Sequence, residues 1–492
     1  MYRYQIDNTT LIQDITSNTD VVISIIEKKI PNISVIYIPL NNLGFADILS
    51  INLEHTLKLN KAKNKINEIH NNIWEDIKKY TNPYELIYIY NNGHANTANT
   101  ANGNNNTYGT GTNARSIATI KPLSRSFFKM IEIIYEFIPL MFMPNTINSL
   151  HIAEGPGGFI EATRYIRAQQ AQALNLNISV GALMVGNDRA FGITLIDNYH
   201  KNVPAWKQSN VFLRNHPEVI ISTGADGTGN IYNIQNILYL DNQIKTHTNT
   251  NTNNNFLNNS SINSINSNCS INSINSNSSI NSNSSINSNS SINSTNASDN
   301  NIINFITADG GFDYSIDYNY QEQTSSKLLF TQIIIALKCQ KIGGSFVCKF
   351  FDINSYLTVE MLYILYLFYD KITIYKPFTS RIANSEKYII CNDYKGVNDI
   401  FLSNLFNILN DWNNTKTQTI NQLFDDIPIL FINKIKEINS IIINNQINSI
   451  NNIINIVKTK IYFKKEWKMQ QIALHNDNAK TWCKTYNIPY HK

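Results

Sequence analysis

The sequence predicts an α/β fold, a mostly parallel, doubly wound sheet with helices on its faces, and three observations carry that reading. The stretch from His151 to Arg167, HIAEGPGGFIEATRYIR, passes from a short apolar run through a Gly-Pro-Gly-Gly turn into an amphipathic helical pattern. Downstream of it, short apolar runs alternate with helical periodicity, as a parallel sheet with crossover helices requires. Asp309, Lys349 and Glu386 all fall where predicted strands meet their loops, and in open α/β sheets such strand ends form the ligand crevice.

The chain has 492 residues and a net charge of +4, much of it asparagine, serine and threonine that cannot build a core. The expectation is an N-terminal α/β extension over 1–90, a disordered loop over 91–115 and the main domain over 116–400. A low-complexity insertion is expected within that domain over 245–300, and a helical, basic region over 401–492. From Phe401 onward 11 Lys stand against 6 Asp and Glu, so the basic character lies in that last region. Cys269, Cys339, Cys348, Cys391 and Cys483 show no C-x-x-C spacing, which indicates neither a disulfide framework nor a metal site and suits a reducing compartment. The first twenty residues lack an apolar signal core, and no run reaches the roughly 18 apolar residues of a membrane span. A soluble, intracellular protein is therefore expected.

Taken in order, Val21 to Leu86 mixes strand-like runs (VVISII, ISVIYI) with a polar helical stretch around His55 to Tyr80, and Asn91 to Asn113 is low in complexity. Lys121 to Leu140 places Phe128, Ile131, Ile134 and Phe137 at helical spacing, with Ser124 as a candidate cap and Lys129 beside the apolar stripe. Phe191 to Ile196 and Val219 to Ser222 read as strands, followed by the turn-rich TGADGTGN of Thr223 to Asn230. After near-perfect SINSNS repeats the sheet resumes with Ile302 to Ala308 and Asp309-Gly310-Gly311. A helix over Thr324 to Gln340 precedes Gly343-Gly344 and the strand SFVCKF, which ends near Lys349. Leu357 to Phe368 is helical, Lys371 to Tyr375 a strand, KPFTSRIANSE a loop, and Tyr388 to Cys391 the final strand.

At the central turn Gly155, Gly157 and Gly158 let the backbone approach a ligand, and the amides of the following helix point into the same space. Neither the dinucleotide G-x-G-x-x-G nor a phosphate loop is present. Glu154 would repel a phosphate but suits an ammonium or a sulfonium.

SRSFFKMIEI, EGPGGF, ADGGF, GGSFVCKFFD and KPFTSRIANSEKYIIC, in this order, resemble the FtsJ-like ribose 2′-O-methyltransferases, and the last three look most like the eukaryotic and large-virus enzymes acting on capped mRNA. The resemblance covers about Lys121 to Tyr394 and implies a Rossmann-like S-adenosylmethionine-dependent methyltransferase fold. It implies a catalytic tetrad of Lys129, Asp309, Lys349 and Glu386. It also implies S-adenosyl-L-methionine over Glu154, Gly155, Pro156, Gly157, Gly158 and Phe159, with Ser124 and Asp309 at its amino-acid end. Where the family has Asp against the adenine amino group this chain has Asn230, with Asp226 as a substitute. The implied partner is capped mRNA, with other capping or transcription proteins beside it and no membrane.

The chemistry needs positioning and one proton transfer from a ribose hydroxyl, with Lys349 as base and Lys129 as a second ammonium beside it. Ser380 and Arg381 are candidate RNA contacts. The tail segment KTKIYFKKEWK mixes lysines with Tyr462, Phe463 and Trp467, a pattern that suits single-stranded RNA and equally suits a packed helix with solvated lysines. Two alternatives remain open on these residues: an FtsJ-like enzyme of ribosomal or transfer RNA, and a non-catalytic RNA-binding subunit of a capping assembly.

Overall fold

The computed structural model describes residues 3–7, 11–12, 28–40, 48–89, 116–173, 187–197, 203–249, 301–312 and 318–491. The VVISII run, the low-complexity stretch of 91–113 and residues 250–300 of the repeat region lie outside the described residues. Strands β1 (Arg3–Asp7), β2 (Leu11–Ile12) and β3 (Ile33–Pro39) come first, followed by helices α1 (Leu53–Asn67) and α2 (Asn71–Thr81). The stretch expected to be helical around His55 to Tyr80 is thus two helices, each with its own cap: Asn52 accepts from the His55 amide and His70 from the Asn72 amide.

Then come α3 (Ser126–Phe137), β4 (Ser149–Ile152), α4 (Gly158–Ala173), β5 (Ala190–Ile193), α5 (Asn210–Asn215), β6 (Val219–Ser222) and α6 (Ile234–Asn249). Helix α6 takes in Lys245 to Asn249, so the expected insertion loses its first residues to a helix. The second half of the sheet domain holds β7 (Ile303–Ala308), α7 (Gln321–Cys339), β8 (Gln340–Phe350), α8 (Tyr356–Phe368), β9 (Tyr369–Tyr375) and β10 (Lys387–Tyr394). Strand β8 runs through Gly343 and Gly344 instead of starting after them, with an irregularity in its register against β7. Last are α9 (Asp399–Asn414), β11 (Gln418–Phe424), α10 (Ile429–Lys458) and α11 (Lys465–Thr485). The region expected to be helical therefore also carries a strand.

Nine strands form one sheet in the order β2-β1-β9-β10-β8-β7-β4-β5-β6. From β8 to β6 the neighbours are parallel, while β10 is antiparallel to both β8 and β9. Every residue of β4 and β5 is buried, as strands covered on both faces must be. Helix α8 is buried from Leu357 to Phe368, because it is apolar all round and can be satisfied only inside. Its one acid, Glu360, accepts from the Leu423 and Phe424 amides at 2.7 and 3.0 Å and so holds β11 in place. Strand β11 pairs antiparallel with β3, and α1 packs along α10, so the two ends of the chain meet. No helix among the described residues is long and apolar enough to cross a membrane.

Candidate active site

Register alone brings three of the four tetrad residues together. Ile152 of β4 is level with Ala308 of β7, Ala308 with Cys348 of β8, and Lys349 of β8 with Tyr388 of β10. Asp309 follows β7 directly and Glu386 directly precedes β10, so Asp309, Lys349 and Glu386 arrive at one edge of the sheet. Lys349 Nζ donates to the Asp309 carbonyl at 2.7 Å and lies 3.2 Å from Asp309 Oδ1, which also accepts from the Tyr388 hydroxyl at 3.2 Å. Helix α3 supplies the fourth residue: Lys129 Nζ meets Glu386 Oε1 at 2.7 Å and Oε2 at 2.8 Å. Burial pushes the Glu386 carboxyl up, but Lys129, Lys349 and Lys376 outweigh it and hold the group down at about 2. Two ion pairs, Lys129 with Glu386 and Lys349 with Asp309, thus share one partly buried recess.

The glycine turn lies one strand over. Gly157 has φ of +104°, which a side chain would resist, and a Cβ on Gly158 would run into the Ser124 and Ser126 hydroxyls. Ser124 therefore lies against the turn; it does not cap α3, whose N-cap is Arg125 and which starts at Ser126, five residues later than the periodicity suggested. Its hydroxyl is 2.5 Å from that of Ser126. Phe159 is fully buried in the first turn of α4, its ring centroid 5.9 Å from that of Tyr388.

Glu154 is turned into the protein. Thr307 donates to its Oε1, while Oε2 is buried 3.3 Å from His151 Nδ1 without a hydrogen-bond partner. Since Thr307 gives its hydrogen to Glu154, its oxygen accepts from His151 Nδ1 at 2.7 Å, and His151 Nε2 accepts from Ser149 at 2.9 Å. Burial keeps that imidazole neutral, with its pKa down at about 3, and raises that of the Glu154 carboxyl well above the usual range. The carboxyl at the head of the turn is thus the end of a buried hydrogen-bonded chain.

Residues 376–386 form the other wall, held from many sides. Ser380, expected to face RNA, donates to Glu386 Oε1 at 2.8 Å, and Arg381, half exposed, forks onto Glu85 at 3.0 and 3.3 Å. Arg125 donates to the Thr379 carbonyl, Asn82 accepts from the Ile382 amide, and Gln446 donates to the Ala383 carbonyl. Lys376 is buried and donates to Asn384 and to the Glu386 carbonyl, and burial brings its pKa down to about 7.

Beyond β6, Asp226 is exposed, but its oxygens are taken by Thr228 and Asn233 of the loop and Asn236 at the start of α6, which hold the carboxyl well below its usual range. Asn230 Oδ1 accepts from the Tyr232 amide. In this structure both residues shape the loop. Sequence reasoning missed the segment over the turn: Ser209 donates to the Pro156 carbonyl, and a Cβ on Gly155 would meet the Ala205 backbone. The Trp206 ring lies 3.3 Å from where a Gly157 Cβ would stand, its Nε1 buried without a partner. A lone tryptophan in the polar run VPAWKQS was the available signal. Among the described residues no group of three or more His, Cys, Asp or Glu is placed to hold a metal, and Cys339, Cys348, Cys391 and Cys483 are buried and unpaired.

A largely parallel sheet reversed at β10 and at β1, a glycine turn opening a helix and ionisable groups at the strand ends define a Rossmann-like fold, in which ligands bind at the strand ends. Residues 122–394, more than half of the chain, match the family model for FtsJ-like methyltransferases. The chain belongs to that family. It is similar to cap-specific mRNA (nucleoside-2'-O-)-methyltransferase 1 of Mus musculus, 36% identical over 144 residues, which is 29% of this chain and 17% of the relative. The protein of that name from Homo sapiens is 40% identical over 99 residues, 20% of this chain and 12% of the relative. The one from Danio rerio is 40% identical over 106 residues, 22% and 13%. The matched stretch thus spans less than a fifth of the length of these relatives.

Proposed function

We propose that this chain methylates a ribose 2′-hydroxyl close to the 5′ cap of mRNA, using S-adenosylmethionine. The observation that carries the reading is the pair of lysine–carboxylate contacts beside the glycine turn in a chain of this family. The cap preference is supported by relatives named for it.

The residues present fit such a cofactor. Gly157 and Gly158 keep the turn bare of side chains where it meets Ser124, Ser126 and Trp206, and two buried polar atoms, Glu154 Oε2 and Trp206 Nε1, are unpaired there. Glu154, Gly155, Pro156, Gly157, Gly158 and Phe159 would hold it, with Ser124 and Asp309 at its amino-acid end and Asp226 or Asn230 toward the adenine. When bound it supplies an electrophilic methyl group on a sulfonium. Lys349, steadied by Asp309, takes the hydroxyl proton as the ribose oxygen attacks. Glu386 keeps Lys129 in the recess, where its ammonium orients the ribose, and Ser380 fixes the Glu386 carboxylate in turn.

The test is transfer of a labelled methyl group to capped and triphosphate-ended RNAs of one sequence, with the modified nucleotide mapped. Faster transfer to the capped RNA, on a ribose near the cap, is expected. Lys349→Ala and Lys349→Arg should each lose roughly a hundredfold to ten-thousandfold, since a guanidinium cannot accept a proton at workable pH. Equal rates, or a methyl far inside the RNA, would reassign the substrate to ribosomal or transfer RNA. RNA binding without any transfer would make the chain a binding subunit.

A further inference from the structure

We infer that the corner between α10 and α11, residues 458–465, is a docking surface for single-stranded RNA leading to the proposed site. The inference takes from the proposed function only that RNA is the substrate.

Helix α10 ends at Lys458, Lys460 turns the chain with φ of +54°, and a short 3-10 turn from Ile461 to Phe463 leads into α11. Tyr462 anchors the corner from inside, whereas Phe463 is 68% exposed with its ring centroid 4.2 Å from that of Tyr462. Within five residues of Phe463 along the chain, Lys458, Lys460, Lys464 and Lys465 are exposed, and none makes a salt bridge among the described residues. Lys468, a turn later, behaves otherwise: it pairs with Asp76 at 2.8 Å and lies over the Tyr80 ring. Glu466 is the one carboxylate between 458 and 468.

Clustered ammonium groups repel one another, and an exposed phenyl ring gains nothing from water. A phosphodiester backbone relieves the first and a stacked base the second. An acidic protein segment would answer the lysines but leave the ring without a purpose, so the aromatic decides between the two.

The corner is also joined to the catalytic wall. Tyr462 belongs to the apolar cluster of Ile450, Ile453 and Ile454, onto which Ala383 packs. Gln446 of α10 donates to the Ala383 carbonyl and the Ser385 hydroxyl at 3.1 and 3.2 Å. On the other side Trp467 of α11 lies 5.8 Å from Tyr80 of α2, and Asn82, just past the end of α2, accepts from the Ile382 amide. RNA leaving Glu386 along this loop meets the corner.

The experiment measures binding of a labelled single-stranded RNA by fluorescence anisotropy across a salt series, with the full chain. Replacing Lys458, Lys460, Lys464 and Lys465 together by Gln should flatten the slope of log affinity against log salt by about 0.7 for each lysine engaged. Phe463→Ala should weaken binding roughly five- to hundredfold with the slope kept. Lys484→Gln, at the far end of α11, should change neither, and circular dichroism confirms folding of each variant. A quadruple variant with native slope and affinity overturns the inference, as does a corner that binds an acidic peptide while RNA binding survives its mutation. A native chain that binds RNA in this way yet transfers no methyl would defeat the proposed activity and leave the corner. A chain that methylates while the quadruple variant binds RNA normally would do the reverse.

Discussion

Glu132 stands one turn along α3 from Lys129, fully buried, and its two oxygens accept from the Tyr375 hydroxyl, the Phe378 and Thr379 amides, the Thr379 hydroxyl and the Trp482 indole. It ties the helix that presents Lys129 to the loop that ends in Glu386. Burial outweighs those donors and raises its pKa from 4.5 to about 7. Below the unfolded value both states are protonated; between 4.5 and about 7 the folded chain holds a proton that the unfolded chain has lost, so this group's contribution to stability falls as pH rises. Glu132→Gln removes that dependence. Urea denaturation across the window should show the variant losing less stability than the native chain, and parallel pH curves would refute the assignment. Lys129 was legible because its neighbours form a recognisable motif. Glu132 was not, because an acid on a helix reads as a solvated charge until the donors from 375–379 and 482 are brought to it.

At the scale of elements, strands and their ends were readable from alternation and turns, and with them Asp309, Lys349 and Glu386. The flanking helices were readable as helices but not in the contacts they make, which depend on the whole chain. Lys63 of α1 meets Asp352, 289 residues away, at 2.5 Å, with both side chains about 7% exposed. Lys387, also buried, lies close enough to lower the Asp352 pKa further, and it donates to the Phe351 and Ser385 carbonyls. Asn439 of α10 donates to the Ile353 carbonyl. The loop after Lys349 and the strand after Glu386 are thus locked by helices from both ends of the chain. Lys63→Met should cost about 3–5 kcal/mol, because it leaves a buried carboxylate without its nearest partner. Thermal denaturation measures this, and a loss below about 1 kcal/mol would place the pair among surface contacts.

For the molecule as a whole, the sheet order is continuous across the repeat region: α6 ends at Asn249 and β7 begins at Ile303, paired on both sides. Replacing residues 250–300 by a short Gly/Ser linker should leave methyl transfer intact and shift stability by about 1 kcal/mol, since loop closure depends only logarithmically on length. Loss of activity in a folded variant would give those repeats a function.

The pairing of β3 with β11, together with the braces from α10 and α11, also sets an order in time. A ribosome has emitted Lys129, Asp309, Lys349 and Glu386, and the whole main sheet, before it makes Asn439, Gln446 and Trp482. The nascent chain therefore holds these four residues before the residues that fix their loops exist, and the wall beside Glu386 gains its last brace only once Trp482 has been made.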